Sequence, residues 1–166
     1  MMDLQKRLVA VRGGDKAAFE ALYEEMKRPL FTLILRITRD KALAEDILQE
    51  LFLKLYLSPP EPSVNPGAYL CRMARNLAID ALRKQKPQAD WEQAEATLCC
   101  YMDDNIDVED AMAALPLRER QIVTLHINGG LKFREIAAML EIPLGTALWA
   151  YQKALDQLRI TLGDAI

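Results

Sequence analysis

The sequence predicts an all-α protein of two small helical domains joined by an acidic linker, with a helix-turn-helix in the second domain. Only seven of the 166 residues are glycine, and apolar residues recur at helical spacing without the alternation of strands. Charge is also uneven along the chain. Residues 1–90 hold fifteen Lys and Arg against twelve Asp and Glu, residues 91–114 hold seven acids and no base, and residues 115–166 hold six bases against five acids. We therefore expect domains over 1–88 and 107–166, with the linker over 89–106.

The first long helix begins after Gly13-Gly14, where Asp15 can cap its N-terminus. Pro29 should kink or split it. Its predicted buried stripe comprises Phe19, Leu22, Tyr23, Met26, Leu30, Leu33, Ile34 and Ile37.

The second helix occupies residues 39–57, with Asp40 as the predicted cap. Its predicted buried stripe comprises Ala44, Ile47, Leu48, Leu51 and Leu55, and its opposite side carries Asp46, Gln49, Glu50, Leu53 and Lys54. Four prolines within residues 58–67 predict a loop. The third helix, residues 68–86, carries many basic residues and Asp80 as its one acid. The outward faces of the second and third helices could both be ordinary solvated surfaces. Alternatively, the basic third helix could follow the phosphates of single-stranded DNA.

The second domain is predicted to contain helices over 107–115, 116–128, 132–141 and 145–162, with Pro116 at a first helical position. The last two form a helix-turn-helix pattern, although an ordinary helical hairpin would look similar. Ala137 is small where the helices must cross, Ile142 fills the junction, and Thr146 can cap the final helix. The predicted inner face of that helix comprises Leu148, Tyr151, Leu155 and Leu158.

No pattern in the sequence predicts an enzyme, a cofactor or a metal site. Phosphate-binding loops and nucleophile–histidine arrangements are missing, and three cysteines with one histidine lack the spacing of a zinc site. The cysteines are expected to be reduced thiols in a cytoplasmic protein. No apolar run approaches the roughly 18 residues that membrane insertion requires.

Three blocks in series resemble the extracytoplasmic-function class of bacterial sigma factors, over roughly residues 15–160. They are AEDILQELFLKLY, AYLCRMARNLAIDALRK and LPLRERQIVTLHINGGLKFREIAAMLEIPLGT. The resemblance implies that the first domain docks on core RNA polymerase and opens the minus-ten promoter element. It also implies that the proline-rich loop captures a flipped base and that the second domain binds the minus-thirty-five element. The implied polymerase-binding residues are Asp46, Gln49, Glu50, Phe52 and Lys54. The implied DNA-binding residues are Arg72, Arg75, Asn76, Asp80, Arg83, Lys84, Thr146, Gln152 and Lys153.

The final helix departs from the family pattern. Leu148, Trp149, Ala150 and Leu155 stand where the family usually has basic or small residues, and Glu141 replaces the glycine expected in the turn. Three interpretations follow: an unusual promoter read through Gln152, Lys153 and DNA shape, a partner that supplies duplex affinity, or a protein interface at Trp149. A buried Trp149 would instead be part of the core, whereas an exposed one would favour an interface.

The sequence therefore predicts a non-catalytic transcription initiation factor. Its expected partners are core RNA polymerase and promoter DNA, and an anti-sigma factor is a further candidate. The alternative is a sigma-like regulator or protein-interaction module that reads the minus-thirty-five element weakly or not at all.

Overall fold

The computed structural model describes residues 3–61, 65–85 and 108–163, which form eight helices and no strand. The chain divides into two compact units, Met1–Ala81 and Leu82–Ile166. The predicted linker 89–106 lies outside the described residues, so the two predicted domain boundaries, after residues 88 and 106, stay predictions. No described helix is long and apolar enough to cross a membrane.

The first unit contains α1 (Leu4–Arg12), α2 (Lys16–Thr38), α3 (Lys41–Leu57) and most of α4 (Pro66–Gln85). Helix α2 packs against both α1 and α3. The two predicted caps are confirmed, since Asp15 accepts a hydrogen bond from the Ala18 amide at 3.2 Å and Asp40 from the Leu43 amide at 3.1 Å. Such caps satisfy amides that have no partner within the helix.

Three details of this unit differ from the sequence prediction. Helix α2 is continuous through Pro29, so the proline does not split it. Helix α4 begins at Pro66 because Asn65 caps it, accepting from the Ala68 amide at 3.2 Å, and this shortens the predicted loop. Proline suits a first helical position because the amide it lacks would have no partner there. Helix α1 was not predicted, and its Arg12 donates a 2.9 Å hydrogen bond to Glu61 in the proline-rich loop.

The core of the first unit follows the predicted stripes closely. All the predicted positions are buried except Phe19 and Leu48, which are half-buried, and Tyr23, which is exposed. Phe52 joins this core although it lies outside the predicted stripe, because its ring packs edge-on against the rings of Phe19 and Tyr23.

The second unit contains α5 (Val108–Ala113), α6 (Leu117–Ile127), α7 (Phe133–Leu140) and α8 (Leu144–Leu162). Helix α8 packs against the other three. Its core cluster of buried residues comprises Ala111, Met112, Leu115, Val123, Ala154 and Leu158. Pro116 precedes α6 as its N-cap instead of occupying the first helical position. The Gly129-Gly130 pair follows Asn128, the C-cap of α6, and Gly130 has a φ of +66°.

Candidate protein and nucleic-acid interfaces

The outward face of α3 carries four of the five residues implied to bind polymerase. Asp46, Gln49, Glu50 and Lys54 are exposed, and Lys54 forms an i, i+4 ion pair with Glu50 at 2.9 Å. Leu53 and Leu57 are exposed beside them. The face thus combines carboxylates, an amide and apolar side chains, which suits a protein partner better than nucleic acid.

The fifth implied residue, Phe52, is not on this face. Its side chain is only 4% exposed. Its ring centroid lies 6.2 Å from that of Phe19 and 4.8 Å from that of Tyr23, both on α2. Tyr56, one turn further along α3, also packs edge-on against Phe19, at 5.2 Å. Phe52 therefore fixes α3 against α2 from beneath the outward face, and the structure gives it no surface of its own to offer a partner.

Helix α4 separates a small-residue inner face from a polar outer face. Its buried residues are Leu70, Cys71, Ala74 and Ala78. Its exposed polar residues include Arg72, Asn76, Asp80, Arg83 and Lys84. The small side chains thus lie on the buried side of the helix and most of the charged ones on the exposed side. The DNA-binding residues implied for α4 therefore share one helix surface, on which all but Arg75 are exposed.

Arg75 differs from the other arginines of α4. It is half-buried, and its Nη1 donates a 3.4 Å hydrogen bond to Oδ1 of Asn76. Its guanidinium is thus partly fixed in place by burial and by this contact.

Cys71 lies on the inner side of α4, directly before Arg72. Burial raises the pKa of its thiol to about 11, so the group is protonated at neutral pH. A protonated, buried thiol is a poor nucleophile, which agrees with a purely structural role. Cys99 and Cys100 lie outside the described residues. Among the residues that the structure describes, no cluster of His, Cys, Asp and Glu could hold a metal ion.

The turn between α7 and α8 has a left-handed residue at the predicted position. Glu141 has φ +56° and ψ +44°, and the Ile142 amide donates back to the Ala137 carbonyl at 3.0 Å. This hydrogen bond spans six residues and ends the helix as in a Schellman motif. The expectation that glycine would suit position 141 is thus explained by the backbone itself.

The start of α8 corrects two predictions. Pro143 is the N-cap and no side chain caps the helix, so Thr146 lies within the first turn as a half-buried residue. The buried residues of α8 are Ala147, Ala150, Ala154 and Leu158. Of the predicted inner face only Leu158 is buried, whereas Tyr151 and Leu155 are half-buried and Leu148 is exposed. Alanines occupy the inner face because α8 crosses the neighbouring helices closely, and Ala137 on α7 is buried as predicted.

The outward face of α8 is apolar in its first two turns and becomes polar at Gln152 and Lys153 in the third. Trp149 is 63% exposed and Leu148 is 45% exposed. Lys153 lies over the indole ring of Trp149, 5.1 Å from its centroid, and its Nζ is 3.5 Å from Oε1 of Glu119 on α6. Gln152 donates to Oδ1 of Asp156 at 3.3 Å. The exposed Trp149 is therefore not a core residue, and the two polar residues implied to bind DNA already have partners within the chain.

Sequence reasoning missed one aromatic cluster beneath this helix. The ring of His126 stacks on Phe133 at 4.2 Å and meets Tyr151 edge-on at 5.1 Å. Its Nδ1 lies 2.9 Å from the Leu131 carbonyl oxygen. The three rings join α6, α7 and α8, so His126 has a structural role that its sequence neighbours alone did not indicate.

The two units match two family models. Sigma-70 region 2 matches residues 22–88, and Sigma-70, region 4 matches residues 106–158. The ECF RNA polymerase sigma factor SigW of Bacillus subtilis is 30% identical, and the alignment covers 98% of each chain. The chain belongs to the ECF sigma factors. As a member of that family it is a non-catalytic factor that acts with RNA polymerase in promoter-directed initiation of transcription.

Other relatives of this sigma factor agree with that assignment. RNA polymerase sigma factor CarQ of Myxococcus xanthus is 32% identical, covering 92% of this chain and 94% of CarQ. ECF RNA polymerase sigma factor SigK of Mycobacterium tuberculosis is 28% identical, and the alignment covers 95% of this chain and 92% of SigK.

Two solved structures share the fold of this sigma factor. CnrH, solved with the cytosolic domain of CnrY, gives a TM-score of 0.69 at 18% identity and covers 96% of this chain and 97% of CnrH. RpoE of Bartonella quintana, solved with the anti-sigma factor NepR, gives a TM-score of 0.66 at 17% identity. The match covers 89% of this chain and 99% of RpoE. The predicted all-α fold is thereby confirmed.

Proposed function

We propose that this sigma factor melts the minus-ten element through the outer face of α4 while the outer face of α3 holds it on core RNA polymerase. The observation that carries the proposal is the division of α4 into an inner face of small buried residues and an outer face that presents Arg72, Asn76, Arg83 and Lys84. A melted strand exposes phosphates and bases together, and a basic helix preceded by a proline-rich loop offers contacts to both.

The sharpest test of the melting role is the double variant Arg72→Ala/Arg75→Ala in reconstituted holoenzyme. Open-complex formation, followed by permanganate reactivity of unpaired thymines, should fall while affinity for core polymerase is kept. Each single-strand phosphate contact contributes about 0.7 to the slope of the logarithm of the DNA-binding constant against the logarithm of salt concentration. Two lost contacts should therefore reduce the size of that slope by about 1.4. The matched control is Lys16→Ala/Lys41→Ala, which removes the same charge from exposed positions on α2 and α3.

The two variants separate three outcomes. Normal opening by the arginine variant would contradict the proposed role of α4. Equal loss of polymerase affinity and opening would point to misfolding, which circular dichroism detects, and would leave α4 without a specific function. Equal effects of the control and the arginine variant would reduce the role of α4 to net charge.

Docking on polymerase is proposed for Asp46, Gln49, Glu50 and Lys54 on α3. Gln49→Ala/Glu50→Ala should weaken core binding without changing the fold, because both side chains are exposed. Phe52→Ala should weaken binding only together with stability, since its ring packs on α2. Core affinity measured alongside urea unfolding distinguishes the two effects. Unchanged affinity in the first variant would remove α3 from the interface.

We also propose an anti-sigma factor as a partner, supported by the structure of the similar RpoE in complex with the anti-sigma factor NepR. A second candidate function, a sigma-like regulator that occupies polymerase without selecting promoters, is favoured by the exposed Trp149. Run-off transcription on genomic fragments distinguishes it from the first. Polymerase binding without initiation on any fragment would support the regulator.

A further inference from the structure

We propose that α8 recognises thymine in duplex promoter DNA through contact of Leu148 and Trp149 with C5 methyl groups in the major groove. This inference rests on the proposed promoter-directed function and names the base chemistry that the second unit selects. Three features of the described residues support it: the orientation of the two side chains, the engagement of the nearby lysine, and the charges around the helix.

The buried alanines fix which way Leu148 and Trp149 face. Ala147 and Ala150 are buried against the neighbouring helices, so the two residues between them project away from the core. In a helix-turn-helix the outward face of the second helix is the surface that enters the major groove. Leu148 and Trp149 are therefore placed where base-reading side chains lie.

Lys153 is held away from the role of a base-reading cation. Its ammonium lies over the Trp149 ring and pairs with Glu119, which is itself only 7% exposed. Releasing Lys153 would leave a nearly buried carboxylate without its cation, which is costly. Residues 144–151 contain no charged side chain at all. The usual pairing of a basic side chain with guanine is thus disfavoured, and the thymine methyl is the apolar group that the major groove offers.

Exposed cations on the helices that pack against α8 favour DNA over an apolar protein surface as the occupant of its apolar face. Arg118 lies in the first turn of α6, and Lys132 and Arg134 lie at the start of α7. All three are exposed. Exposed cations on the two helices that pack against α8 can contact phosphates while the uncharged start of α8 meets the bases, because phosphate contacts position the protein while base contacts specify the sequence.

The test uses full-length protein in holoenzyme with duplexes enriched by that holoenzyme from a randomised double-stranded pool. Each thymine upstream of the melted region is replaced singly by deoxyuridine, which removes only the methyl group. Binding should weaken about fourfold at each contacted position, the effect of about 0.8 kcal/mol for one buried methyl. The Leu148→Ala and Trp149→Ala variants should each bind duplexes with thymine or deoxyuridine at the corresponding position equally well. Ile160→Ala, exposed near the far end of α8, should keep the wild-type ratio.

The outcomes separate this inference from the function on which it rests. A wild-type thymine-to-deoxyuridine ratio of one at every position, with normal initiation, would overturn the inference and leave the promoter-directed function intact. If Trp149→Ala weakened only a protein interaction and left the ratio unchanged, the occupant of this face would be a protein and the inference would be wrong. Failure of the holoenzyme to initiate on any enriched duplex would overturn both.

Discussion

Replacing Glu141 with glycine should stabilise the second unit. Glu141 adopts φ +56° at the end of α7, a left-handed conformation that costs a residue with a Cβ roughly 1–2 kcal/mol. Its carboxylate also lies at the negative end of the helix dipole, an unfavourable placement of about 0.3–1 kcal/mol at an exposed site. The greater freedom of glycine in the unfolded chain offsets roughly 0.5–1 kcal/mol of the gain. A net stabilisation of about 1 kcal/mol remains.

Tryptophan fluorescence during urea unfolding reports on the second unit, because residues 1–81 contain no tryptophan and Trp149 lies on α8. A gain of 1 kcal/mol corresponds to a rise in Tm of about 4–8 °C for a unit of this size. Glu141→Gln removes only the charge and Glu141→Ala removes the charge but keeps the Cβ, so both should gain less than Glu141→Gly. If glycine were no more stable than alanine at this position, the backbone argument would be refuted.

Two further predictions concern buried chemistry in the two units. Burial raises the pKa of Cys71 to about 11 from an ordinary value of 9.0. Between these two pH values the thiol therefore keeps its proton in the folded protein and loses it in the unfolded chain. Stability should therefore fall from about pH 9 to about pH 11, by up to roughly 2–3 kcal/mol, and Cys71→Ala should show a shallower fall in urea unfolding. Lys153→Ala should destabilise the second unit by about 1 kcal/mol because it leaves the Glu119 carboxylate unpaired. Adding Glu119→Gln should restore the loss, and failure of that rescue in fluorescence-monitored unfolding would contradict the pairing.

Helical periodicity predicted the first unit well, because its core depends on large aliphatic side chains. Leu22, Leu30, Ile34, Ile47 and Leu51 are buried as their spacing indicates. Aromatic rings were harder to place. Tyr23 fits the apolar stripe, yet its ring reaches the edge of Phe52 while remaining exposed, since a long amphipathic side chain can cover a neighbour and still meet water.

The inner face of α8 could not be obtained from hydrophobicity, because the tight helix crossing selects small side chains. Leucine is more apolar than alanine, so a pattern search favours Leu148 over Ala147. The structure reverses the choice, with Ala147 buried and Leu148 exposed. This rotation also brings Lys153 to Glu119 on another helix, a pairing that lies 34 positions apart in the sequence.

The sequence predicted which side chains of the candidate site are exposed better than it predicted which side chains contact one another. The exposed positions of α3 and α4 follow from helical spacing, and the left-handed residue at position 141 follows from the turn. The half-buried state of Arg75 and the burial of Phe52 depend on tertiary packing, which spacing along one helix does not report.

With the role proposed for α8, the Glu119–Lys153 pair implies that the base preference of the factor can be changed from a buried position beneath that helix. Glu119 faces inward, yet it holds the one cation in the second to fourth turns of α8. A neutral residue at position 119 would release that ammonium outward. The apolar surface of α8 would then gain a hydrogen-bond donor, although no residue of α8 itself had changed. Diversification of base preference among related factors, or its redesign for orthogonal gene circuits, could therefore begin at a concealed position.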